Sequence, residues 1–212
     1  MANTTKEPDV TIPAVDIGTF SLRLVGDSPL VVHKWSDKAK KMMLDKQMKR
    51  ATGGKEAKDP EQDYQDSLYH MPDGEGYGFP AVAFKAAAIG ACRFVDGLSM
   101  TEARGAFHVQ GELVRIEGEP QMREDMVRLE TGTADIRYRA EFPTWETTLT
   151  IRFNRQALTV EQLINLFNIA GFSIGVGEGR PLGRKSSGSW GMFHVAPGSQ
   201  ESSNGTGEGE AQ

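Results

Sequence analysis

The chain has 212 residues but only one cysteine, Cys92, and its four histidines, His33, His70, His108 and His194, lie in four separate segments. A single cysteine excludes an internal disulfide, and histidines so dispersed give no zinc-finger or HExxH spacing. No metal and no other cofactor is expected. No apolar run approaches about 18 residues and no charged-then-apolar leader opens the chain, so a soluble, cytoplasmic protein without a membrane partner is expected. The G-x-S-x-G elbow is absent, and the serines between Arg184 and Gly191 lack a neighbouring base. No catalytic residue is nominated, and a role other than enzyme is expected. The common nucleotide fingerprints fail as well. Gly183 is followed by Arg184 and Lys185, but Glu178 stands where a P-loop needs its first glycine, and Arg180 stands where a dinucleotide fingerprint needs its third.

What the chain has in excess is glycine near its C-terminal end, with seven in the 21 residues from Gly171 to Gly191. The same stretch carries Arg180, Arg184 and Lys185 against one acid, Glu178. Glycines at that density let backbone N–H groups converge on an anion, and the cations attract it from a distance. A flexible, basic hairpin tip has the same composition, and the two readings stand side by side. The net charge of −5 is unevenly placed. Residues 197 to 212 contribute Glu201, Glu208 and Glu210, whereas residues 34 to 58 hold nine Lys or Arg against Asp37, Asp45 and Glu56. Such segregation creates a local field, although a solvated Lys-rich helix produces the same count.

The polar ends, 1–13 and 197–212, are expected to be disordered around one domain spanning 14–196, with an insertion at 34–66. Alternation of Phe20, Leu22 and Leu24 with polar neighbours predicts a strand. Ser36 can cap a helix through Lys38, Lys41 and Met43, followed by a mobile connection at 51–65. Pro72 to Gly76 reads as a hairpin turn, and Phe84, Ala87, Ala88, Ala91 and Val95 share one face of a core helix. Phe107 to Ile116 reads as one strand with a bulge at Gly111. Thr159 and Gln162 form a capping box for a helix ending at Gly171, and the last strand is Trp190 to Val195.

The stretch DIRYRAEFPTWETTLTIRF predicts a hairpin around Pro143–Glu146, with Tyr138 facing Ile151, Arg139 facing Thr150 and Arg137 facing Arg152. Two arginines opposite each other cost up to roughly 1 kcal/mol unless an acid or an external anion lies between them. Glu141 is the internal candidate and a phosphate backbone the external one, which arginine is well suited to grip. Trp35, beside the Lys-rich helix, and Trp145, at the predicted turn, are candidate stacking platforms, and either can fill the core instead.

Taken in order, the segments form strand, helix, strand, strand, helix, strand. That is an α+β, ferredoxin-like (RRM-type) antiparallel sheet with two packed helices, an inserted Lys-rich helix and a long β-hairpin. The segment GFPAVAFKAAAIGACR, from Gly78 to Arg93, is similar to the proline-turn-helix stretch of the RAMP superfamily, which includes backbone subunits of CRISPR effector complexes. GVGEGRPLGRKSSGSWGMF resembles that family's glycine-rich loop, and SPLVVHK at 28–34 stands where the family has its post-strand Ser-Pro-Leu. The resemblance covers most of residues 19–195. It implies a protein that binds a guide or single strand and polymerises along it, with Lys85, Arg93, Arg180, Arg184 and Lys185 as backbone contacts. The whole chain also resembles a family of tailed-phage and prophage proteins through SPLVVHKWS, DYQDSLY, GFPAVAFKAA, RGAFHV and AGFSIGVGEGRP.

These features lead to the expectation of a phage-encoded single-stranded nucleic-acid binder, assembled as a homo-oligomer along the strand. Lys38, Lys41, Arg137, Arg139 and Arg152 join the contacts, with Trp35 and Trp145 stacking on bases and the acidic tail competing for the basic surface. Two alternatives remain: a virion or assembly protein whose basic loop meets another subunit, and an RNA-processing nuclease using His33 as general base.

Overall fold

The computed structural model describes residues 12–50, 57–128, 132–183 and 188–198. Strand β1 (Ile17–Gly26) is the spine of the fold. Its alternating Phe20, Leu22 and Leu24 are fully buried, and it pairs antiparallel along its length with β8 (Glu146–Asn154). β4 (Phe107–Val109) and β9 (Phe193–Val195) complete a four-stranded sheet in the order β4-β8-β1-β9. Two crossover helices join these strands, α3 (Ala81–Ala91) and α5 (Val160–Ser173). With β1, β4, β8 and β9 taken as first to fourth, the order second, third, first, fourth is the ferredoxin-like arrangement expected from the pattern.

Both helices bury apolar faces on one side of this sheet. Ring contacts of 6.0 Å between Phe107 and Phe167, and of 5.9 Å between Phe84 and Phe193, tie them to its edges. α5 begins with the expected capping box, in which Thr159 accepts from the Gln162 amide while the Gln162 side chain accepts from the Thr159 amide. Cys92 lies buried just after α3, and burial raises its thiol pKa.

The remaining elements are insertions into this core. After β1 come β2 (Leu30–Val32), α1 (Asp37–Gln47), α2 (Pro60–Ser67) and β3 (Tyr77–Pro80). Ser36 caps α1 as expected, accepting from the Ala39 amide at 3.2 Å, and no residue of α1 is buried. Instead of an unstructured link up to residue 65, Asp59 caps α2 and Pro60 opens it, because a proline at the first helical position lacks only an amide that would have no partner there. α4 (Met100–Ala106) follows α3, and its Ser99/Glu102 capping box escaped the sequence reading.

Two strand assignments are corrected. The chain from Phe107 to Ile116 is not one bulged strand: Gly111, at φ +86°, turns it from β4, on β8, to β5 (Leu113–Ile116), on β3. The predicted hairpin of 134–142 with 146–154 does not form either. β7 (Ala134–Phe142) pairs with β6 (Gln121–Arg128) and with β2, whereas β8 pairs with β1 and β4. Arg139 therefore stands opposite Arg123, Arg137 opposite Asp125, and Arg152 opposite Thr19 and His108. The long hairpin of the fold is β6–β7. Period-two alternation specifies which face of a strand is buried and leaves its partner open. Here the partner is decided by Trp145, which is 2% exposed, packs between Phe84 and Phe193, and donates its indole N–H to the Ser28 carbonyl at 2.9 Å. That anchor sends β7 and β8 into different sheets, and Trp145 has no free face for a base.

Candidate nucleic-acid interface

The proline-turn-helix segment and the glycine-rich segment face one another. Ala83, Ala86, Ala87 and Gly90 present a wall of small side chains from α3, and residues 174–183 form the opposite wall. Between them lies a cleft of about 660 Å³, with Arg93 and Arg180 among its lining residues and His33, just after β2, at its side. A second cleft, of about 520 Å³, runs from His33 past Lys34, Trp35 and Lys38 to Arg137. His33 lines both, so the two meet at its imidazole. Trp35 is 51% exposed. Arg93 is exposed, and among the described residues its guanidinium makes no hydrogen bond or ion pair. Arg180 is held by the Gly177 carbonyl at 2.8 Å, and Arg137 lies 3.9 Å from Asp135.

The glycines act differently from the expectation. Val176, Glu178 and Gly191 donate their amides to the carbonyls of Gly191, Val31 and Pro29, and the Gly175 amide bonds to Ala170. These N–H groups are engaged within the protein and do not converge on an anion. Glycine is required because the backbones approach closely: at Gly177, φ +77°, a Cβ would sit 2.6 Å from the Val31 carbonyl oxygen. The loop is a shaped wall that carries Arg180. Arg184 and Lys185 lie outside the described residues.

An ion network backs the groove. The Arg139 side chain, 6% exposed, donates to Asp125 at 2.6 Å and to Glu178 at 3.4 Å, while its Nε has no partner. Arg123 bonds both Asp125 oxygens, reaches Glu141 at 3.1 Å and lies 4.1 Å from the Trp190 ring centre. Arg139 was expected to grip a strand. Instead it is a buried structural cation, because β6 brings Asp125 against it. Glu178 faces the groove as well, with its carboxylate 4.0 Å from the His33 Nδ1. Shielding by the surrounding protein holds the His33 pKa below its ordinary value. Glu178 and Asp63 oppose that shift, and Arg137 and Arg139 reinforce it. At neutral pH the imidazole is an uncharged donor and acceptor at the waist of the groove.

Lys85 and Arg152 lie elsewhere. On α3, Lys85 points roughly 140° away from the Ala83–Gly90 wall, by the 100° step of a helix. Its ammonium donates to the Arg104 carbonyl and to the His108 Nδ1, each at 3.0 Å. Lys41 is exposed on α1 and lines neither cleft. The contributions of Lys34 and Arg123 were not anticipated. Lys34 merged into the Lys-rich run, and Arg123 needed the β6–β7 register before its partners could be seen. Among the described residues no cluster of three or more His, Cys, Asp or Glu could hold a metal, and no helix is long and apolar enough to cross a membrane.

Fold and groove together define a ferredoxin-like α+β protein with a tryptophan-bearing cleft, lined by both cations and carboxylates, beside its inserted strands. No protein-family model and no curated protein matches the chain. Among solved structures it is similar to the crystal structure of Cmr6 from Pyrococcus furiosus, at 10% identity over 86% of this chain and 100% of that one, with a TM-score of 0.42. It is also similar to a chain in the cryo-EM structure of the Type III-B Cmr-beta bound to cognate target RNA, at 10% identity over 85% of this chain and 59% of that one, with a TM-score of 0.49. The target RNA is a feature of that second structure.

Proposed function

We propose that the chain binds single-stranded nucleic acid along the groove that passes from Arg93 and Arg180, past His33, to Trp35, Lys38 and Arg137. The observation that carries the reading is the meeting of the two clefts at His33, which joins cations from four separate elements into one track. Arg93 and Arg180 hold phosphates at one end and Lys34, Lys38 and Arg137 at the other, while Trp35 offers its exposed face to an unstacked base. Glu178, Asp63, Asp66 and Asp135 line the same clefts and keep phosphates off their own positions, so base or sugar faces them. The strand is gripped by side chains and no bond is broken. In line with the motif resemblance, the proposed setting is phage recombination, replication or counter-defence, with copies seated side by side on longer strands.

A fluorescent oligonucleotide titrated at several salt concentrations tests this. Affinity should fall with salt, and Arg93→Ala should lower the magnitude of the salt slope by about 1. Trp35→Ala should cost roughly 1–3 kcal/mol at every salt concentration. Affinity that ignores salt and both substitutions would point to the virion or assembly reading, and a shortened probe to a nuclease.

A further inference from the structure

The second convergence of cations stands apart from the groove. Lys85 from α3, His108 from β4 and Arg152 from β8 meet at the edge of the four-stranded sheet, where Arg152 lies directly across from His108. Lysine has no acceptor, so its 3.0 Å contact makes the His108 Nδ1 the acceptor and leaves the ring proton on Nε2. Lys85 is held by two acceptors, the Arg104 carbonyl and this nitrogen, with its ammonium 6.0 Å from the Phe107 ring centre, and keeps a third N–H. Arg152 is exposed, and among the described residues its guanidinium makes no hydrogen bond or ion pair. The adjoining cleft, of about 450 Å³, is lined by Arg152, His108, Gln110 and Asn154 among apolar neighbours and by no carboxylate. Burial, Lys85 and Arg152 all push the His108 pKa down, and no acid offsets them.

Several arginines elsewhere meet carboxylates: Arg23 with Glu146, Arg115 with Asp73, Arg155 with Asp16. Two cations held around a neutral imidazole donor, with no acid beside them, lack only the anion. We infer that Lys85, His108 and Arg152 form a second oxyanion site, one that takes a phosphoryl group. Its donors are the third Lys85 N–H, the His108 Nε2–H and the Arg152 guanidinium, which is suited to two phosphate oxygens at once. The phosphoryl group can be free phosphate, the end of a strand or an internal phosphodiester. The site does not depend on the groove reading, since it shares no residue with either cleft there.

The test follows the His108 ring resonances of the full chain by NMR, assigned with His108→Gln, as inorganic phosphate is added at constant ionic strength. A saturable shift is expected. Arg152→Gln should weaken it roughly tenfold, as loss of one charge-assisted contact would, and Lys85→Gln should act in the same direction. Arg93→Ala, in the groove, should leave it unchanged. Oligonucleotides with 5′-phosphate or 5′-hydroxyl ends then name the source: a shift with the first alone identifies a terminal phosphate, with both a phosphodiester, and with neither the free ion. Arg152, on an exposed strand position, can be replaced without threatening the fold. A shift that matches chloride at equal ionic strength, or one that survives Arg152→Gln at full affinity, overturns the assignment. Failure of the groove reading appears separately, in the salt slope of the Arg93 variant.

Discussion

Arg139 and Arg152 were drawn from the same stretch of sequence and given the same role, yet the structure uses them in opposite ways. Arg139 lies 6% exposed between Asp125 and Glu178, its charge cancelled by β6 and the glycine-rich wall. Arg152 stands in the open beside Lys85 and His108, with no carboxylate lining the cleft next to it. Arginine count along a strand therefore predicts neither field nor ligand. What decides is which neighbouring strand supplies the acids, and β7 received Asp125 while β8 received Thr19 and His108.

The sharpest break in that comparison is thermodynamic. Arg139→Ala leaves Asp125 to Arg123 alone, frees Glu178 and empties a buried site, and should lower unfolding stability by roughly 1–3 kcal/mol. Arg152→Ala should change it by no more than about 0.5 kcal/mol, as surface substitutions do. Denaturant titrations of the two variants decide the matter, and equal losses would mean that Arg152 is structural too. Glu178 gives a finer contrast, because it touches both the network and the groove and its side chain is 46% exposed. Glu178→Gln should change stability by no more than about 1 kcal/mol, since Asp125 remains. It should tighten oligonucleotide binding roughly twofold to fivefold by removing a negative charge from the phosphate track, which the same fluorescence titration measures. Weaker binding would show that the carboxylate receives a donor from the strand.

Much of the ferredoxin-like core was legible because its signals are local. Phe20, Leu22 and Leu24 alternate, Thr159 and Gln162 form a capping box, and the small residues of α3 repeat at helical spacing. The insertions were harder to read. α2 begins with a proline among breakers, and only its cap, Asp59, marks it as a helix. The partner of β7 depended on where Trp145 anchors, a contact with Ser28 across 117 positions of sequence. The candidate groove was half legible. Its walls, the glycine-rich segment and α3, were singled out, and Trp35, Lys38, Arg93 and Arg180 lie along it. The pairing of Arg139, the engagement of the loop amides and the meeting of Lys85 with Arg152 at His108 all need long-range register, which composition does not carry.

The smallest expected effect tests whether the two histidines differ as their surroundings do. Both His33 and His108 have pKa values lowered from 6.5, so in the folded protein they take up protons only at lower pH than in the unfolded chain. Between about pH 7.5 and 5.5 the unfolded state then binds more protons, and stability falls as pH falls through that window. The stability is fully present above the unfolded value and is lost as the folded values are crossed. His108→Gln and His33→Gln should each remove part of this slope in denaturation measured across the window, while carboxylates remain ionised. Ligand binding has the opposite sign. A polyanion in the groove favours protonated His33, so oligonucleotide affinity should rise over the same range in which the free protein loses stability, and His33→Gln should flatten that rise. His108→Gln should leave it intact if strands occupy the groove alone, and should flatten it too if the sheet-edge site takes a phosphate of the same strand.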